Sequence, residues 1–228
     1  MNNLLNWAYK AFKLVSSPKL LYIKGRLGYR GKDVIITMPC KLAVPQNVFM
    51  SDHTLIQPNC TFIMNKGAVH IGKWSTISSN CIIITDNHRP TVGINTRMMN
   101  RYFINDEIKD IKVDDDCWIG AGSILMSGAS LGRGSIVAAG ALVNKTVPPY
   151  AVVAGVPAQI IASVFSKEQI IAHEKCLYPE NERMSLKELD ELFEKYFEGK
   201  KSIGIEGLSE ADRKKAMEHK FMQESIPE

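Results

Sequence analysis

No stretch of this chain approaches eighteen consecutive apolar residues, which excludes a helical membrane span. The opening "MNNLLNWAYKAFKLVSSPKLLYIKGR" lacks the compact apolar core and small-residue cleavage site of a signal peptide, so the expected location is cytoplasmic. No CxxC pair occurs. The five cysteines, Cys40, Cys60, Cys81, Cys117 and Cys176, are odd in number and sit in a chain read as belonging to a reducing compartment, which argues against a disulfide framework. Runs of Lys and Arg interleaved with aromatics are also missing, which argues against nucleic acid as a partner.

What is present is a charge step. Residues 1–165 hold 17 Lys and Arg against 9 Asp and Glu, whereas residues 166–228 hold 11 against 15. The balance passes from +8 to −4 and marks a boundary near residue 165. A basic main domain suits an anionic ligand, although a solvated basic face is the commoner meaning.

The dominant pattern is a period of six. Large aliphatic or apolar residues fall at Val44, Met50, Ile56 and Phe62, again at Ile71, Ile77 and Ile83, and again at Val113, Ile119, Leu125, Leu131, Val137 and Val143. Four residues after them runs a column of small or compact residues, among them Thr54, Cys60, Ser75, Cys81, Cys117, Ser123, Ala129, Ser135 and Ala141. Neither a helix nor a simple strand has this period; a parallel β-helix of hexapeptide repeats does. Three hexads close one triangular turn, and a turn must stack on its neighbours to bury its apolar residues.

Two places break the count. Phe62 to Ile71 is a step of nine, so "IMNKGAVH" carries three extra residues. Ile83 to Val113 is a step of thirty, an excess of 24 residues. A stacked solenoid can only expel such an excess as a loop, so residues 84–112 are expected to project from the prism, with His88 near the start of the loop. Residues 1–43 are expected to form an N-terminal helical cap, with Leu4, Leu5, Ala8, Phe12 and Val15 on one face. That segment would cover an open end of the β-helix or make a peripheral contact with a membrane or a lipid-linked substrate. The β-helix is expected over 44–162 and a helical extension over 163–228. In the extension "SKEQ" at Ser166–Gln169 and "SLKE" at Ser185–Glu188 fit capping boxes, and Leu186, Leu189, Phe193 and Phe197 form an apolar stripe.

The segment "VDDDCWIGAGSILMSGASLGRGSIVAAGALVNKTVPPYAVVAGVPAQII", with "TDNH" upstream, resembles the hexapeptide-repeat acyltransferases. It is most similar to the branch of galactoside, xenobiotic and capsular-polysaccharide O-acetyltransferases. The resemblance covers about residues 44–162 and implies a left-handed parallel β-helix, a homotrimer with sites between neighbouring prisms, acetyl-CoA as co-substrate, no metal, and a sugar or polysaccharide acceptor. By the same resemblance His88 is the base. A sugar hydroxyl is a poor nucleophile at neutral pH, and a neutral imidazole suits the removal of its proton. Asp86 is a nearby carboxylate that could fix the imidazole tautomer, and Asn65, in the three-residue insertion, falls with it on the acceptor side. The resemblance further implies that Trp118 borders the thioester end of CoA, that Ala121 and Ala139 let pantetheine approach, and that Asn144 and Lys145 lie at the nucleotide end. Gln159 stands where the family often has a basic residue after "GVPA", so a phosphate contact there is not implied.

Cys60, Cys81 and Cys117 read as wall residues of the small column, which favours direct transfer over an acyl-enzyme. Three other readings remain open: N-acetylation of an amino sugar, a non-catalytic scaffold, and a zinc-dependent, carbonic-anhydrase-like protein using His70 and His88, eighteen residues apart.

Overall fold

The aliphatic positions of the hexads point inward. In a computed structural model, which describes residues 26–218, Met50, Ile56, Phe62, Ile71, Ile77, Ile83, Val113, Ile119, Leu125, Leu131, Val137 and Val143 are all buried. So is the small column from Val48 and Thr54 to Ala141 and Val147. Two residues per hexad fill the interior while short strands, mostly of two or three residues, form the walls.

The strands stack into three parallel sheets, and each sheet is one face of a β-solenoid of about six turns, the architecture expected of a left-handed hexapeptide β-helix. The first face runs Tyr29–Arg30, Val48–Met50, Val69–Ile71, Ile111–Val113, Ser130–Leu131 and Thr146–Val147. The second includes Ile35–Ile36, Leu55–Ile56, Thr76–Ile77, Trp118–Ile119, Ile136–Val137 and Ala151–Ala154. The third holds Lys41–Leu42, Thr61–Ile63, Ile82–Ile84, Ile124–Leu125 and Leu142–Val143.

Register explains the spacing. Ile119 pairs with Val137 one repeat later, and Val113 with Leu131. Across the insertion Met50 pairs with Ile71 and Phe62 with Ile83, a displacement of 21 residues. Across the loop Ile77 pairs with Ile119 and Ile83 with Leu125, a displacement of 42. The excess chain thus leaves the stack and returns without disturbing the ladder. The turns lie so close that a Cβ on Gly120 would come within 2.5 Å of the Ala139 backbone nitrogen, so the glycine after the aliphatic residue is required there.

The solenoid begins earlier than the count of sixes suggests. Residues 29–42, expected within the cap, form strands that pair with the next turn: Arg30 with Met50, Ile36 with Ile56 and Leu42 with Phe62. This turn is offset by 20 residues, because the 3-10 turn Pro45–Asn47 adds two, and Arg30 occupies an aliphatic slot. Val44, assigned to the first hexad, caps that 3-10 turn and is only half-buried. The amphipathic helix expected over residues 4–15 lies outside the described residues.

The chain divides into a unit ending at Ile160 and a second beginning at Ile161. The second unit contains helices Lys167–Leu177 and Leu186–Tyr196, each opened by the expected capping box, with Ser166 and Ser185 accepting from the Gln169 and Glu188 backbone N–H. A third helix spans Glu210–Glu218. The apolar stripe differs at one end: Leu189 and Phe197 are buried, but Leu186 is 65% exposed, and Leu192 is buried in its stead. Leu186 is the first helical residue, where the chain has just entered the helix and the face it presents is not yet covered. No helix among the described residues is long and apolar enough to cross a membrane.

Candidate active site

The loop leaves the third face after Ile82–Ile84 and rejoins the first face at Ile111–Val113, so it springs from one corner of the prism. Its base is a short antiparallel ladder in which Asp86 faces Ile108 and Asn87 faces Glu107. Continuing that register by one residue sets His88 opposite Asp106. Their side chains meet there, with His88 Nδ1 2.7 Å from Asp106 Oδ1. Asp106 is 6% exposed at its side chain and His88 33%.

This pairing decides the tautomer. In the neutral ring a carboxylate accepting at Nδ1 fixes the proton there and leaves the lone pair on Nε2. A helix at the loop tip, Thr96–Tyr102, is capped by Asn95, whose side chain accepts from the Met98 backbone N–H. From that helix Asn100 Nδ2 donates to His88 Nε2 at 3.3 Å. The imidazole is therefore held at both nitrogens, firmly through Nδ1 and weakly through Nε2. Phe103, just beyond the helix, lies tilted to the imidazole with ring centroids 6.3 Å apart.

Asp86 does not perform the role expected of it. Its carboxylate turns away from the imidazole and accepts from the backbone N–H groups of Asn65 at 2.7 Å and Lys66 at 3.2 Å, and from the Thr85 hydroxyl at 2.6 Å. Burial pushes its pKa up, but these hydrogen bonds outweigh burial and hold it below the ordinary carboxylate value. Asp86 thereby clamps the three-residue insertion to the loop base. Asp110 does the same at the other end of the loop, accepting from the Ala68 backbone N–H at 2.8 Å. Asn65 stands at the same corner as His88, one turn earlier.

The remaining candidates fall on two corners. Trp118 lies on the second face, 55% exposed, its indole N–H donating to the Ser78 hydroxyl at 3.1 Å. Ala121 and Ala139 stack one above the other at the corner between second and third faces, and the Gly140 N–H donates to the Ala121 carbonyl. Asn144 and Lys145 lie at the corner that bears the loop, two turns farther along, or roughly 10 Å at the usual strand spacing. Lys145 Nζ donates to Gln159 Oε1 at 3.2 Å, so Gln159 partners Lys145.

Cys60, Cys81 and Cys117 are buried in the wall, and burial drives the Cys117 thiol up to about 12. None is placed to act as an exposed thiolate nucleophile. His70 stacks on Phe49 on the first face, with ring centroids 4.7 Å apart, while the His88 ring is engaged by Asp106 and Asn100. Among the described residues no group of three His, Cys, Asp or Glu side chains is placed to hold a metal ion.

Asp106 and Asn100 escaped the sequence reading. Asp106 lies eighteen residues beyond His88, and only the hairpin at the loop base joins them. The one available signal was the symmetric pair of polar stretches "TDNH" and "NDEI" bracketing the excursion.

Comparison with known proteins agrees with this architecture. Residues 110–145 match the family model for the bacterial transferase hexapeptide, six repeats. A 2,3,4,5-tetrahydropyridine-2,6-dicarboxylate N-acetyltransferase of Clostridium perfringens is 49% identical over 55 residues, 24% of this chain and 23% of that protein. The chain spans about a quarter of the length of the curated relatives it matches. Among solved structures, a hexapeptide-repeat acetyltransferase of Vibrio cholerae in complex with acetyl coenzyme A aligns with a TM-score of 0.55 at 27% identity, covering 61% of this chain and 73% of that one. A maltose O-acetyltransferase of Clostridium difficile shares the fold, with a TM-score of 0.54 at 23% identity over 61% of this chain and 71% of that one.

Proposed function

Taking the chain as a hexapeptide-repeat protein of the acetyltransferase type, we propose that it moves an acetyl group from acetyl-CoA to a hydroxyl of a sugar or polysaccharide, with His88 as general base. The observation that carries this reading is the His88–Asp106 pair, which leaves Nε2 as the acceptor of a proton at the mouth of an extruded loop. The acceptor hydroxyl displaces the weak contact from Asn100 and gives its proton to Nε2 as its oxygen attacks the thioester carbonyl. The tetrahedral oxyanion requires a donor, for which a backbone N–H is suited. Collapse breaks the C–S bond, and the imidazolium returns the proton to the departing CoA sulfur. Asp106 stabilises the imidazolium between the two steps. The buried cysteine wall favours this direct route over an acyl-enzyme.

The test is a screen of free glycosides, nucleotide sugars and capsular oligosaccharides with acetyl-CoA, following release of the CoA thiol. Absence of turnover across the screen, with acetyl-CoA binding also absent by calorimetry, would favour a non-catalytic scaffold. The N-acetyltransferase relatives keep a second reading in play, transfer to an amine, and amino-sugar acceptors in the same screen separate the two.

The site is assigned to the interface of a C3 homotrimer. In one protomer His88 and the Trp118–Ala121–Ala139 surface occupy different corners, so a neighbour is needed to close a groove between them. The outward residues of the third face include Ile82, Ile124 and Leu142, an apolar row suited to contact with another prism. Sedimentation equilibrium is expected to return three times the chain mass, and an active monomer would refute the assignment.

Lys145 is proposed to face a CoA phosphate, remote from the reacting carbon. Its contact would then be equal in ground and transition states, so Lys145→Ala should raise the acetyl-CoA KM roughly tenfold and leave kcat near the parent value. The loss should shrink with added salt. A fall in kcat with acetyl-CoA KM intact would mean that this corner does not hold the nucleotide end.

A further inference from the structure

The helix at the loop tip carries more than Asn100. Arg97, Asn100 and Arg101 are spaced by three and four residues, so they share one side of Thr96–Tyr102. Met99, which is buried, seats the opposite side. Arg97 lies one turn before the side chain that touches His88 Nε2, and Arg101 directly follows it in the chain, with its guanidinium over the Tyr102 ring.

Charge at this corner is unevenly satisfied. Every carboxylate of the loop is already engaged: Asp86 by the insertion backbone, Asp106 by His88, Glu107 by Arg89 and Lys109, and Asp110 by Ala68. Among the described residues neither Arg97 nor Arg101 meets a carboxylate; the Arg101 guanidinium instead lies 5.6 Å from the Tyr102 ring centroid. Both arginines are exposed.

We infer that Arg97 and Arg101 recognise an anionic group, a carboxylate or a phosphate, on the acceptor. The inference rests on the acyl-transfer reading above and names the substrate class of that site. Nε2 takes the proton of the acceptor hydroxyl, so groups beside Asn100 face the acceptor. Guanidinium matches the planar oxygens of carboxylate and phosphate through paired hydrogen bonds, a geometry a lysine does not reproduce. An acceptor bearing such a group would be oriented by it as its hydroxyl reaches His88.

The experiment uses the full-length protein, acetyl-CoA and two matched pairs of acceptors: methyl glucoside with methyl glucuronide, and glucose with glucose 1-phosphate. CoA thiol release gives kcat/KM for each. The parent protein is expected to prefer a charged member over its neutral partner, and the pair in which this occurs identifies carboxylate or phosphate. In the Arg97→Gln, Arg101→Gln double variant that preference should fall roughly tenfold or more, through the acceptor KM. The Arg97→Lys, Arg101→Lys variant should recover part of it. An equal rate for charged and neutral partners, a preference that survives the double variant, or a loss that appears in the acetyl-CoA KM instead overturns the inference while the acyl-transfer reading stands. Release of thiol with none of the four acceptors, nor with any member of the wider screen, overturns that reading and the inference with it.

Discussion

His88→Ala is expected to lower kcat by roughly 10²–10⁴-fold, the range spanned by positioned general bases. Acetyl-CoA affinity should hardly move, because in the proposed mechanism the imidazole held by Asp106 and Asn100 meets the acceptor hydroxyl and not the nucleotide. The fold should also be unaffected: His88 lies in the loop, and the ladder closes beneath it through Ile83 and Leu125 whether or not the ring is present. Steady-state kinetics with saturating acetyl-CoA, together with a melting curve, decide the matter. Turnover at the parent rate would remove His88 from the chemistry.

Asp106→Asn should cost on the order of 10²-fold in kcat, with little change in melting temperature. The amide is isosteric with the carboxylate, so packing around the nearly buried side chain is kept. What changes is the charge and the hydrogen-bond logic. A carboxylate compels Nδ1 to carry the proton. An amide can present its NH₂ to Nδ1, which transfers the proton to Nε2 and leaves no lone pair for the acceptor hydroxyl. The imidazolium formed during transfer also loses its counter-charge. If Asp106 merely held the loop together, the amide would retain activity and a bulkier or shorter side chain would lower the melting point; that pattern would reassign it as a packing residue.

The prism itself was legible because the hexapeptide period places each inward position at a fixed interval. Ile56, Ile77, Ile119 and Val137 align in one column even though a loop separates the second from the third. The first turn was hidden for a local reason. Arg30 stands where an aliphatic residue is expected, and Pro45–Asn47 shifts the phase by two residues, so counting in sixes stops at Val44. The location of the excursion could be read from the interrupted period, whereas its internal partners could not. His88 and Asp106 meet through a hairpin and Asn100 arrives on a helix at its tip, and neither contact leaves a periodic trace. Asp86 shows the limit of proximity in sequence: two residues from His88, it spends its oxygens on the turn before.

The two clamps at Asp86 and Asp110 separate the loop's fate from that of the solenoid. Both bind backbone N–H groups of the same short insertion, and neither depends on the identity of any side chain between them. Asn47 supports the insertion from the preceding turn by donating to the Lys66 and Gly67 carbonyls. The stretch from Asn87 to Lys109 is thus a cassette seated in a socket formed by the insertion. Provided His88 and Asp106 are kept at its base, the tip of the cassette can change without re-optimising an inward-facing residue, so the loop between them should diverge faster in length and content than the hexads that carry it.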